Sequence, residues 1–283
     1  MSYGETPLII AGSMLHISDV QMLPVEGGQS AHYHEKTKIK LYAAVGGYSV
    51  LDKILVTDPK DYQRLLWKPC KEIVAWIGSA NFDDELDSLF RVFDVTRFGD
   101  ASVDLSEDTH TIVTLHEFVD LLRNGIIASS ATAQEISTRK VSVPKDTPII
   151  EAIKIMFQKR IRRLFVDDID RENEFISSRK IIAYLFSPDR LLFVKEHPER
   201  WLEGEIKDVE LVRAEVVSDT VSLNKLSRLL GNDVEACLLT EKSGEVITRW
   251  DLIMKTWKKT GFRINEENIG KNSLSSQLKT LDS

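Results

Sequence analysis

Cysteine is nearly absent from this chain. Cys70 and Cys237 are the only two in 283 residues. A pair so far apart supplies neither a disulfide framework nor metal-ligand spacing, so a reducing, cytoplasmic setting is expected. Long apolar runs are missing too: no stretch of 18 apolar residues occurs, so no membrane-spanning helix of ordinary length is expected. The opening MSYGETPLIIAGSML lacks the basic segment of a secretory signal. Positive charge is in deficit, with 37 Lys and Arg against 44 Asp and Glu and a net charge of −7. That balance argues against general nucleic-acid binding, which needs a basic footprint. Nor is there a Walker loop, a nucleophile with a flanking base, or a paired-carboxylate site. The expectation is therefore a protein without catalytic residues or a catalytic cofactor. SAHYHEK puts His32 and His34 two apart beside Glu35. Third and fourth ligands are not identifiable, and no metal site is assigned.

What is present is a globular composition, 42% hydrophobic and 29% charged. The length suits about two domains of ordinary size. The chain also repeats itself. A hydroxyl residue opens an apolar helix at Ser49, Thr114, Ser177 and Thr248, a spacing of 63 to 71 residues. Three positions later stand Asp52, Glu117, Lys180 and Asp251. A short β-branched or aromatic run precedes each hydroxyl and reads as a strand. Upstream, VSVPKDTPIIEAIKIMFQKRIRRLFVDD reads strand, helix, strand, with Thr147 as the expected N-cap and Pro148 at the first helical position. EVVSDTVSLNKLSRLLGNDVEACLLT repeats this with Thr220 as the cap. The unit is β-α-β-β-α, about 55–65 residues long, present about four times. One such unit buries too little apolar surface to stand comfortably alone. The expected divisions are 1–60 (degenerate), 61–128, 129–190 and 191–260, followed by a polar tail, 261–283.

The stretches GEVITRWDLI and VSVPKDTPIIEAIKIMFQKRIRRLFVDD resemble the cystathionine-β-synthase (CBS) domain, a βαββα unit that pairs into Bateman modules. Four units in one chain are similar to the gamma subunits of AMP-activated protein kinase. The resemblance implies an α+β fold of tandem CBS repeats in two Bateman modules. It implies adenine nucleotide (AMP, ADP or ATP) bound in clefts between repeats, and energy state signalled to a protein partner or a second copy. S-Adenosyl ligands also occur in this family.

The resemblance assigns roles to particular residues. The acid at the second-helix start accepts ribose hydroxyls, a task suited to an acceptor-only carboxylate. Thr248 with Asp251, and Ser49 with Asp52, fit that role. Thr114 with Glu117 is a weaker candidate, because Glu is one methylene longer. Lys180 cannot accept a hydroxyl. A cation in the first helical turn also opposes the dipole by roughly 0.3–1 kcal/mol, so Lys180 either points into solvent or, with Ser177, meets a phosphate. Lys159, Arg160, Arg162 and Arg163 form the densest basic cluster, and the planar fork of Arg162 or Arg163 suits phosphate. Glu235 and Ala236 hold the matching places in the fourth repeat. The expected best site combines Thr248 and Asp251 with Arg162 or Arg163. Read only as local structure, Thr248 and Asp251 form a capping box. The competing function is a nucleotide-independent scaffold for dimerisation or protein interaction, which Glu117, Lys180, Glu235 and Ala236 favour.

Overall fold

The computed structural model describes residues 32–34, 39–44, 75–81, 84, 86–97, 99–104, 110–168, 173–232, 234–239 and 244–265. Helices and short mixed sheets alternate along these residues, an α+β fold. Two compact units divide the chain. One holds Met1–Ala80 and Val141–Arg213, the other Asn81–Lys140 and Ala214–Ser283.

In chain order the first strands are β1 (His32–His34), β2 (Ile39–Ala44) and β3 (Ala75–Asn81), joined antiparallel as β1–β2 and β2–β3. Then follow α1 (Leu86–Thr96), the antiparallel pair β4 (Asp100–Asp104) and β5 (His110–Thr114), and α2 (Leu115–Arg123). The short elements β6 (Ile127–Ala128), α3 (Ala133–Ile136) and β7 (Thr138–Arg139) complete this segment.

The next segment contains β8 (Ser142–Val143), α4 (Ile149–Lys159), β9 (Arg163–Val166), β10 (Glu174–Ser177), α5 (Ser178–Leu185), α6 (Pro188–Glu196) and β11 (Val212–Arg213). Helix α4 buries Ile149, Ala152, Ile153 and Met156, the i, i+3, i+4, i+7 stripe of an amphipathic helix. They pack on Leu164, Val166 and Ile176 of the strands and on Ile181, Ile182 and Leu185 of α5. Strands β8 and β9 run parallel, as a crossover helix requires, whereas β9–β10 and β10–β11 are antiparallel.

Helix α4 starts one residue later than the sequence suggests. Pro148 is its N-cap and makes no side-chain cap. The backbone of Thr147 is committed elsewhere, its N–H to the Pro144 carbonyl (3.0 Å) and its carbonyl to the Ile206 N–H (3.0 Å). The open N–H of Ile149 donates instead to the Gly204 carbonyl (3.0 Å). Gly204 has φ +126, and a Cβ there would lie 2.9 Å from the Tyr184 hydroxyl, so glycine is required at this distant cap. At the other end Arg160 adopts a left-handed φ of 54 as the C-cap. Lys159 and Arg160 therefore belong to a helix terminus, where cations suit the dipole.

The last segment runs β12 (Glu215–Val217), α7 (Leu223–Leu230), β13 (Cys237–Leu239) and β14 (Glu245–Ile247). A π-helical turn, Asp251–Lys255, leads into α8 (Thr256–Thr260) and β15 (Arg263–Ile264). Ser222, not Thr220, caps α7, accepting from the Lys225 N–H at 3.2 Å. Thr220 is held two residues upstream, its hydroxyl 2.9 Å from that of Ser218. Strands β12 and β13 are parallel and β13 and β14 antiparallel, the arrangement of β8, β9 and β10.

Each four-stranded sheet takes its last member from an unexpected place. Strand β7 pairs with β14, and β11 pairs with β10. The strand just before β8 thus completes the sheet of the last segment, and the strand just before β12 completes the sheet of the preceding one. In the second unit α2 packs on α7, with Asn224 Nδ2 donating to the terminal carbonyls of α2, Leu122 (3.3 Å) and Arg123 (3.1 Å). Phe90 lies between Phe118 and Trp257, with ring centroids at 4.7 and 5.5 Å, and Trp257 Nε1 donates to Asp87 at 2.6 Å.

Candidate functional site

The second unit gathers a polar cluster where β14 meets its helix. Asp251 is 6% exposed among apolar neighbours, so its carboxylate needs partners. Oδ2 accepts from the Thr248 N–H (3.0 Å) and the Thr248 hydroxyl (2.7 Å). The reciprocal bond, from the Asp251 N–H to Thr248 Oγ1, measures 3.4 Å. This is the capping box expected from the sequence. It is only half of the arrangement.

The other half comes from β7. Val246 and Thr138 are register partners in the antiparallel pair β14–β7. Their pairing carries Thr138 to the helix start, where its hydroxyl donates to Asp251 Oδ1 at 2.5 Å. The neighbouring Ser137 hydroxyl donates to the Glu245 carboxylate. Lys255, one turn beyond Asp251, closes the group. Its Nζ donates to the Ser137 carbonyl (2.6 Å) and to Thr138 Oγ1, and lies 3.3 Å from Asp251 Oδ1. The π-helical turn over these residues is wider than an α turn, a feature often found at functional sites. Arg249 holds the far side, donating to the Leu230 carbonyl and to the Asn232 carbonyl at 2.8 Å.

Thr248 and Asp251 are therefore brought together, joined by Thr138 and Lys255, which the sequence reading missed. Thr138 carries no motif of its own; its place follows from strand register. Lys255 stands four residues after Asp251, and that i, i+4 spacing was the available signal. Thr114 and Glu117 also meet: Glu117 Oε2 accepts from the Thr114 N–H (2.6 Å) and from its hydroxyl, on an exposed surface. A capping box at Thr132 and Glu135 went unread, although T-x-x-E announces it. Ser49 and Asp52 lie outside the described residues.

The basic candidates belong to the first unit. Arg163 pairs in register with Ser177 on β10, and its guanidinium sits 5.9 Å from the centroid of the Phe175 ring. Ser177 is buried and caps α5, accepting from the Lys180 N–H at 3.3 Å. Arg162 is exposed, and its carbonyl accepts from the Ser178 N–H at 2.9 Å. Lys180 Nζ pairs with Glu210 at 2.7 Å. That ion pair is neither of the two arrangements expected from the sequence. In the second unit, Ala236 is fully buried beside Cys237 of β13.

Residues 133–186, from α3 through α5, match the family model of the CBS domain. No curated protein sequence matches the chain. Among solved structures it is similar to MJ1225 of Methanocaldococcus jannaschii, described as a candidate archaeal homologue of g-AMPK. That likeness has 16% identity and a TM-score of 0.63 over 74% of this chain and 81% of that one. At such identity the likeness is one of fold. CBS domain protein PAE2072 of Pyrobaculum aerophilum, complexed with AMP, is 17% identical over 43% of this chain and 89% of that one, at a TM-score of 0.30. An uncharacterized conserved protein of Pyrococcus horikoshii is 14% identical over 62% and 76%, at 0.43. These two overlaps are too partial to bear on function. Among the described residues no helix is long and apolar enough to cross a membrane, and no group of His, Cys, Asp and Glu suits a metal ion.

Proposed function

We propose that this CBS protein is a non-catalytic, cytoplasmic regulator built of four repeats in two Bateman modules. It binds an adenine nucleotide (AMP, ADP or ATP) and signals through a protein partner or a second copy of itself. One observation carries the reading. A carboxylate that is 6% exposed stands at a helix start, tied to a hydroxyl from a strand 113 residues upstream. A cap alone needs only Thr248. The convergence of Thr138 on the same carboxylate supports a built acceptor site, of the chemistry that a ribose diol requires. Thr248 and Asp251 are the proposed ribose residues. Ser49 and Asp52 hold the equivalent places in the sequence, and Thr114 and Glu117 form a weaker site. Phosphate binding is proposed for Arg162, Arg163, Ser177 and Lys180 of the first unit, where Arg163 is the register partner of the buried Ser177.

Isothermal titration of nucleotide-stripped protein with AMP, ADP and ATP tests this. Micromolar binding, lost in Asp251→Asn with the fold intact, supports the proposal. Absence of binding to all three by folded protein sinks it. The competing scaffold reading draws on Lys180, whose ammonium is engaged by Glu210 and gives no acceptor for a ribose. It expects a self-associating chain whose melting temperature nucleotide leaves unchanged, since a ligand of the native state must raise it.

A further inference from the structure

We infer that Lys255 is a built-in occupant of the diol position at Asp251, an internal cation that a nucleotide must displace. The inference rests on the ribose reading of that carboxylate. A carboxylate offers about four lone-pair sites. Asp251 has four partners already: three hydrogen bonds, from the Thr248 N–H and hydroxyl to Oδ2 and from the Thr138 hydroxyl to Oδ1, and an ion pair with Lys255 Nζ 3.3 Å from Oδ1. A ribose diol therefore cannot add to the site as it stands. One of the four must leave.

The four are not equally able to leave. The Thr248 amide is backbone, and the Thr248 hydroxyl is fixed by the cap. Thr138 is held by the pairing of β7 with β14. Only Lys255 has a long, flexible stem, and its side chain is 32% exposed, so a path to water exists. Its contact with Asp251 is also the longest of the four. An ammonium has three donors. Here they face three acceptors: the Ser137 carbonyl, Thr138 Oγ1 and Asp251 Oδ1. Lys255 thus occupies the approach to Oδ1, the open side of the carboxylate, and its charge balances a buried anion in the meantime.

The consequence is a lowered affinity. A ligand that binds only the state with Lys255 withdrawn has its apparent affinity reduced by the fraction of protein in that state. The competition is with the diol and not with the phosphate.

Titration of wild type and Lys255→Met with AMP, adenosine and 2′,3′-dideoxy-AMP tests this. Methionine keeps an unbranched apolar stem and removes the charge. AMP and adenosine are expected to bind Lys255→Met about five- to tenfold more tightly than wild type. Dideoxy-AMP, which has no diol, is expected to gain nothing. Circular dichroism checks the fold, and Lys255→Gln, which keeps two donors for Ser137 and Thr138, serves if the Met variant does not fold. Equal or weaker AMP binding by the variant, with wild-type binding intact and Asp251-dependent, overturns the displacement and leaves the ribose reading standing. Weakened AMP with unaffected adenosine overturns it in favour of a phosphate contact. Failure of every variant and wild type to bind any of the three overturns both.

Discussion

Thr138 donates its hydroxyl hydrogen to the Asp251 carboxylate at 2.5 Å, across 113 residues of sequence. The bond joins a two-residue strand to the start of a helix, and so contributes to stability as well as to the proposed site. Thr138→Val keeps the shape and removes the donor. It is expected to lower unfolding free energy by about 1–2 kcal/mol, read by urea denaturation, because a buried acceptor loses a partner. Nucleotide affinity is expected to fall with it. Loss of stability with affinity unchanged would place Thr138 outside the binding site.

Phe118 is 1% exposed, with ring centroids 4.7 Å from Phe90 and 5.8 Å from Phe93. Phe118→Ala is expected to destabilise by about 3–5 kcal/mol, through lost burial and the cavity left behind. Chemical denaturation measures it. A cost below about 1 kcal/mol would mean the aromatic cluster is not packed as described.

The ion pair of Lys180 and Glu210 is close, at 2.7 Å, yet 77% of the Glu210 side chain is exposed. Solvent screening limits such pairs to about 0–1 kcal/mol. Glu210→Ala is therefore expected to leave the melting temperature nearly unchanged. It also frees Lys180. If Lys180 meets a phosphate, the variant binds AMP more tightly, and titration calorimetry reads the difference.

Burial pushes the Cys237 thiol from 9.0 up to about 12, with the nearby Glu215 carboxylate adding to the effect. The thiol is neutral in both folded and unfolded chains at neutral pH. Between pH 9 and 12 the unfolded thiol has lost its proton and the folded one has kept it, so stability falls as pH rises through that window. The slope from this group approaches about 1.4 kcal/mol per pH unit. Cys237→Ala is expected to flatten the decline, seen in urea midpoints at pH 8, 9 and 10. In the native wild type, thiol reagents at pH 8 are expected to leave Cys237 unmodified.

Much of this arrangement was written locally. The stripe Ile149, Ala152, Ile153, Met156 marks α4, and the hydroxyl-x-x-acid pattern marks Thr114–Glu117 and Thr248–Asp251. What escaped was set by distant backbone. Thr147 reads as a cap, but the free amide of α4 is met by Gly204, 55 residues beyond Ile149 (204 − 149). Thr138 looks like any polar residue before a strand until the register of β7 on β14 is known. Lys255 offers only its i, i+4 spacing from Asp251 as a signal. The wider π turn that accompanies its approach to Asp251 has no sequence signature of its own.

The exchange of β7 and β11 between sheets bears on synthesis and on attempts to divide the molecule. A ribosome releases Thr138 long before Asp251, so the carboxylate's second hydroxyl waits for more than a hundred residues of chain to be made. Contacts of such high sequence separation fold slowly. The junctions at 140/141 and 213/214, where the chain passes from one unit to the other, look like places to cut for expression. Cutting there removes no strand, because each exchanged strand stays on the near side of its junction. It instead divides the second unit, leaving Thr138 and Asp251 on separate polypeptides, while 141–213 keeps the sheet of β8, β9, β10 and β11 whole. Recovering the proposed site from such pieces would require the fragments to find each other in solution, making its formation dependent on their concentration.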